Sequence, residues 1–157
     1  MTDKERQFTA IVNKHKRTVY TVCYMFSHDK DEIDDLFQEI LVRMWNGFES
    51  FRGESSLNSW IWRVSLNTCL NFEKRKSREG ERVGLNVDIG PADGADDDAM
   101  QISQLRERIG KLGFIDRSII LLWLENMSYD EIGAIVGMSP KNVSVKLVRI
   151  REKLKCM

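Results

Sequence analysis

Proline is nearly missing from this 157-residue chain, which holds two, and glycine is sparse at ten. A turn-rich all-β protein needs more of both, so strands are not the expected framework. Three cysteines, Cys23, Cys69 and Cys156, are an odd number at wide spacing. They offer neither a disulfide framework nor a C-x-x-C metal pair. Cys23 and Cys69 fall in apolar-periodic stretches and read as small buried thiols. The two histidines, His15 and His28, do not share a helix face with Cys23, so no zinc site is expected. No apolar run approaches the ~20 residues of a membrane-spanning helix, and the first residues lack a signal-peptide core. Net charge is absent too, with 24 basic against 24 acidic side chains. What remains is 42% hydrophobic and 31% charged, enough apolar material for a core. A cytoplasmic, all-α protein without cofactor or metal is the expectation.

The zero net charge conceals a division along the chain. Residues 81–104 carry one basic and six acidic side chains. Residues 139–155 carry Lys141, Lys146, Arg149, Arg151, Lys153 and Lys155 against Glu152 alone. Such asymmetry points to an anionic partner for the C-terminal end.

Hydrophobic spacing divides the first part into three helices. Phe8, Ile11, Val12, His15, Val19, Val22, Cys23 and Phe26 recur every three or four residues. Ile33, Leu36, Phe37, Ile40, Leu41, Met44 and Trp45 form a second stripe. It begins near Asp29, with Asp31 and Glu32 in the first turn, and Gly47 suits its C-terminal stop. A loop from Phe48 follows, with Ser55 or Ser56 as the cap of a third helix. There Leu57, Trp60, Ile61 and Val64 mark one face and Trp62, Leu66, Cys69 and Leu70 another. Ser59, Arg63, Asn67, Asn71 and Lys74 form a polar seam between them. Two apolar faces exceed what an ordinary surface helix needs. Asp34, Asp35, Gln38 and Glu39 lie opposite the stripe of the second helix, an acidic patch suited to a basic partner.

From Glu79 to Ser103 periodicity is lost among glycines and aspartates, and residues 80–99 read as a flexible acidic linker. The last part, 100–157, opens with Ile102, Leu105, Ile109 and Leu112 on one helix. A short, almost wholly apolar helix from Ile115 to Leu124 must sit in the middle. Ser128 and Glu131 have capping-box spacing, with Met127 and Ile132 placed as a staple. After Gly137, Ser139 and Pro140 start another helix, with Met138 and Val143 as a second staple. Two short helices across such a turn make a helix-turn-helix, whose second helix enters the DNA major groove. Val143, Leu147, Ile150 and Leu154 are its core positions. Lys141, Asn142, Val145, Lys146, Val148 and Arg149 are left facing outward. Asn and Lys hydrogen-bond base edges and valine contacts thymine methyls. Arg151, Lys153 and Lys155 suit phosphates.

Taken together, the two modules resemble a known family. Asp35, Leu36, Phe37, Gln38 and Glu39, followed by Trp45, Phe48, Phe51, Arg52, Gly53, Ser56, Trp60 and Asn67, carry the first signature. Ser128 to Ser139, then Val143 and Arg149 to Leu154, carry the second. The chain resembles the extracytoplasmic-function (ECF) sigma factors of bacterial RNA polymerase, in the sigma-70 family, over nearly its whole length. The resemblance implies that residues 1–79 are region two, which docks on the β′ clamp through Asp34, Asp35, Gln38 and Glu39. It implies that Arg52, Gly53, Arg63, Asn67 and Lys74 meet the melted minus-ten element. Residues 100–157 would be region four, bound to the β flap and reading the minus-thirty-five duplex through Lys141, Asn142, Val145, Lys146 and Arg149. Arg151 and Lys155 would hold phosphates. No catalytic residues are implied, since the polymerase does the chemistry, and an anti-sigma factor is expected to act in trans. Ser144, Val145, Lys146 and Val148 depart from the more basic and hydroxylated residues of many relatives. The rival readings are a stand-alone helix-turn-helix repressor or activator and, less well supported, a helical nuclease. The first does not explain the acidic face and polar seam of the first module. The second would rest on Asp29, Asp31, Asp34 and Asp35, which have no matching histidine or carboxylate cluster elsewhere.

Overall fold

The computed structural model describes residues 1–51, 53, 56–78 and 97–157, with the side chains of 97–99 not included. Among these residues the regular structure is seven α-helices and one short 3-10 turn. They fall into two units, Met1–Glu73 and Lys74–Met157.

The first unit starts with α1 (Asp3–Phe26), whose entry is closed by a capping box not anticipated from the sequence. The Thr2 hydroxyl oxygen accepts the Glu5 N–H at 3.2 Å, and the Glu5 carboxylate accepts the Thr2 N–H at 3.3 Å. Burial deepens toward the C-terminal half, at Val19, Val22, Cys23, Met25 and Phe26. A tight turn follows, in which the Ser27 hydroxyl donates to the Glu32 carboxylate at 2.8 Å. Asp29 then caps α2 (Lys30–Gly47), accepting the N–H groups of Asp31 and Glu32. Ile33, Leu36, Ile40 and Met44 bury the expected stripe against α1. Each such aliphatic side chain contributes roughly 1.5–3 kcal/mol.

Gly47 closes α2 where the sequence put its stop, though not in a left-handed conformation. Its φ is −93°, and the chain runs on into a 3-10 turn at Phe48–Ser50. A Cβ at Gly47 would lie in ordinary van der Waals contact with the Trp60 indole, at 3.4 Å. Phe8 meets Trp45 edge-on at 5.1 Å and Phe48 at 6.2 Å. Lys4 lies over the Trp45 ring and pairs with Glu49 at 3.2 Å.

Ser56 supplies the cap of α3 (Leu57–Arg78), its hydroxyl oxygen accepting the Ser59 N–H at 3.1 Å. The buried face of α3 is Ser59, Ile61, Trp62, Ser65, Leu66, Thr68 and Cys69. This corrects the two-stripe reading: Ser59 leaves the polar seam, and Trp60 is only half-buried, tilted against Phe51 at 5.3 Å. Ser65 and Thr68 can be buried because their hydroxyls donate back to the Ile61 and Val64 carbonyls.

The expected linker lies mostly outside the described residues. Its end differs from expectation, since α4 (Asp97–Gly110) begins within residues 80–99. On α4 only Ile109 of the anticipated stripe is buried, with Leu112 just beyond it, while Ile102 and Leu105 are exposed. The central helix is α5 (Phe114–Leu124), buried from Ser118 to Leu122. Asn126, at φ 62°, turns the chain toward α6 (Tyr129–Val136). Ser128 caps α6, and Gly137 at φ +79° ends it in the left-handed conformation glycine favours. The capping box there has one backbone arm: Ser128 accepts the Glu131 N–H, while the Glu131 carboxylate takes the Ser128 hydroxyl at 3.2 Å. Ser139 then caps α7 (Pro140–Lys155) with Pro140 in its first turn, and α5, α6 and α7 pack on one another.

Candidate nucleic-acid and protein interfaces

The turn between α6 and α7 fixes the angle of the last helix. Gly137 and Met138 both donate their N–H groups to the Gly133 carbonyl, at 2.8 and 2.9 Å. Gly133 itself is buried, and a Cβ on it would run into the Met138 carbonyl oxygen. With Val143, Leu147 and Ile150 buried, α7 is held by one face.

Its opposite face carries Lys141, Asn142, Val145, Val148 and Arg149, all exposed. The side chains of Lys141, Asn142 and Arg149 have no hydrogen-bond or ion-pair partner among the described residues. Val145 and Val148 are 44% and 59% exposed, an apolar pair set among polar groups. Lys146 departs from the expected outward placement. Its ammonium pairs with Asp116 of α5 at 3.1 Å and its side chain is 38% exposed. Spacing on α7 placed Lys146 facing outward and carried no signal for a partner thirty residues earlier. Arg151 lies over the Trp123 ring at 5.1 Å, and Lys155 is exposed at the helix end.

On α2, Asp34, Asp35 and Gln38 are exposed and without side-chain partners among the described residues. Glu39 is half-buried and pairs with Arg43 one turn on, at 3.1 Å, so its charge is partly neutralised. Val42, 58% exposed, lies on the same face as Asp35 and Gln38, a feature the stripe-based reading passed over. Its apolar character at an outward position was the available signal.

The minus-ten candidates are less closely gathered. Gly53 has φ +74° and open space around its Cα, and Arg52 lies outside the described residues. On α3, Arg63 is half-buried and Asn67 exposed, while exposed Lys74 lies just past the division between the units. Trp62 is fully buried in the core of the first unit. Cys23 and Cys69 are buried free thiols, as their periodicity suggested, and burial pushes the Cys23 thiol up to about 12.

One chain thus carries a helical unit and a helix-turn-helix unit, and sequence comparison names the class. Residues 11–79 match the family described as Sigma-70 region 2, and residues 102–154 match Sigma-70, region 4. The chain belongs to the sigma-70 family, and within it to the ECF class. It is 27% identical to the ECF RNA polymerase sigma factor SigG of Mycobacterium tuberculosis, over 94% of this chain but 40% of SigG. It is 29% identical to the RNA polymerase sigma factor YlaC of Bacillus subtilis, over 84% of this chain and 82% of YlaC. Among solved structures it resembles the sigma factor RpoE in complex with the anti-sigma factor NepR from Bartonella quintana. That match has a TM-score of 0.78 at 20% identity and covers 96% of this chain and 95% of RpoE.

Proposed function

We propose that this chain binds core RNA polymerase and directs promoter-specific transcription initiation, leaving catalysis to the polymerase. The observation that carries this reading is the exposed face of α7, where Lys141, Asn142, Val145, Val148 and Arg149 stand together. That mixture matches base readout: amide and cationic donors for base edges, valines for thymine methyls. Arg151 and Lys155, further along, would hold backbone phosphates and fix the register.

In the first unit, Asp34, Asp35, Gln38 and Glu39 are the proposed docking surface for the polymerase β′ clamp. Arg52 and Gly53, with Arg63, Asn67 and Lys74 on α3, would receive the melted minus-ten strand. The second unit would also contact the β flap. The RpoE structure was determined with an anti-sigma factor, and the same kind of regulator, acting in trans, is proposed here. Among the described residues no helix is long and apolar enough to cross a membrane, and a cytoplasmic site of action is proposed.

Run-off transcription with core polymerase tests the reading. Addition of the chain should yield discrete start sites preceded by a shared pair of elements. Tight, sequence-specific binding of duplex DNA by the chain alone, with no effect on polymerase, would favour a stand-alone repressor instead.

A further inference from the structure

Asp116 lies in the first turn of α5 with its side chain only 14% exposed. One carboxylate oxygen takes the Lys146 ammonium at 3.1 Å, and the other faces the Lys153 ammonium at 3.8 Å. Both lysines belong to α7, and helical spacing puts them on the flank shared by Asn142 and Arg149. We propose that Asp116 is a specificity-determining, positioning residue for the DNA-reading helix. It withholds Lys146 from general phosphate attraction and holds its ammonium at one place beside Asn142. This rests on the assignment of α7 as the base-reading helix.

The argument is one of charge and freedom. A lysine ammonium is a compact charge on a flexible stem and is drawn to any nearby phosphate. Non-specific DNA binding is supplied almost wholly by such charges, whereas specificity is a difference between two affinities. A carboxylate that neutralises one of them lowers the affinity for wrong sequences. The ammonium has three N–H donors, so two remain for a base edge after Asp116 takes one. A mostly buried carboxylate keeps its partner, because unpaired burial of a charge is costly. Asp116 therefore acts through Lys146 and does not itself meet DNA.

The test uses polymerase holoenzyme reconstituted with the full chain, titrated against a promoter duplex from the mapped start sites and a scrambled duplex, at several salt concentrations. Asp116→Asn should bind the scrambled duplex about three- to tenfold tighter and change promoter affinity less than about twofold. Its salt dependence on the scrambled duplex should steepen by about one unit of slope, from one freed phosphate contact. Asp116→Glu, which keeps the charge, should restore the parent ratio. An unchanged ratio and slope in Asp116→Asn, at unchanged melting temperature, overturns the proposal. Should Asp116→Asn not fold, the double variant Asp116→Asn with Lys146→Gln replaces the ion pair by a neutral pair. It should keep scrambled affinity within about twofold and lose promoter affinity, and a large loss on the scrambled duplex overturns the proposal. Arg149→Ala separates the two levels of inference. If it leaves both duplexes unaffected, the reading of α7 fails and Asp116 falls with it. If it weakens promoter binding while Asp116→Asn is silent, only the role of Asp116 fails.

Discussion

The Gly133 carbonyl accepts the Met138 N–H at 2.9 Å, while the Met138 carbonyl oxygen occupies the place a Gly133 side chain would take. The backbone of the turn is thus folded onto the backbone of α6, and neither group is a flexible side chain that can swing aside. Gly133→Ala should destabilise the second unit by roughly 1–3 kcal/mol, the usual range for overpacking. Chemical denaturation of the full chain, followed by circular dichroism, measures it. Because Gly133 sets the angle of α7, promoter affinity should fall in the same variant at temperatures where it remains folded.

On α2 the proposed docking face is separable from the core. Asp34 and Asp35 are exposed, whereas Leu36 and Ile40 are buried. Reversal of both aspartates to lysine should weaken binding to core polymerase about tenfold or more, since like charges across an interface are costly. Helical circular dichroism should not change. Val42→Ser should cost a few-fold, as its apolar surface would be buried on docking. Polymerase affinity by fluorescence titration checks both, and equal affinity for all variants removes this face from the interface.

Reading and positioning on α7 should separate by salt. Asn142→Ala should lose ~1–3 kcal/mol on the promoter duplex and relax preference at one base pair. Lys155→Ala should weaken promoter and scrambled duplexes alike and flatten the salt dependence by about one unit of slope. Holoenzyme titrations at three or more salt concentrations distinguish the two patterns.

Cys23 makes stability depend on alkaline pH. Burial holds its thiol protonated up to about 12, against an ordinary 9.0. Between these values the unfolded chain loses a proton that the folded chain keeps. Stability is therefore whole below the lower value and declines as pH rises through the window, at up to about 1.4 kcal/mol per pH unit. Cys23→Ala should flatten this alkaline decline in urea melts at pH 8 to 11. Native alkylation should modify exposed Cys156 and spare Cys23 and Cys69.

Much of this architecture was legible because its signals are local. Asp29, Ser128, Ser139 and Gly137 sit within four residues of the groups they satisfy, and the stripes of α1 and α2 follow one period. The failures required distant partners or hidden polarity. Ser65 and Thr68 are not among the expected core positions, and they are buried with their hydroxyls bonded to their own helix. Ile102 and Leu105 have core spacing yet stay exposed. For the interfaces, which residues face outward on α2 and α7 was readable from helical angle, with Lys146 the exception. Its pairing with Asp116 is a tertiary fact that no spacing rule on α7 can supply.

Pro140 has an effect that begins before the helix exists. A residue preceding proline is sterically pushed toward extended backbone, and Ser139 is observed there, at φ −69° and ψ 151°. That is also the conformation in which a serine can cap a helix, as Ser139 does for the Asn142 N–H at 3.2 Å. The denatured chain therefore already samples the start of α7 in a narrowed ensemble. Less disorder has to be surrendered at the helix end proposed to approach the bases, by roughly 0.4–1 kcal/mol relative to an unrestricted residue. The start of α7 is thus set partly by the memory of the unfolded state and not only by the contacts of the folded one.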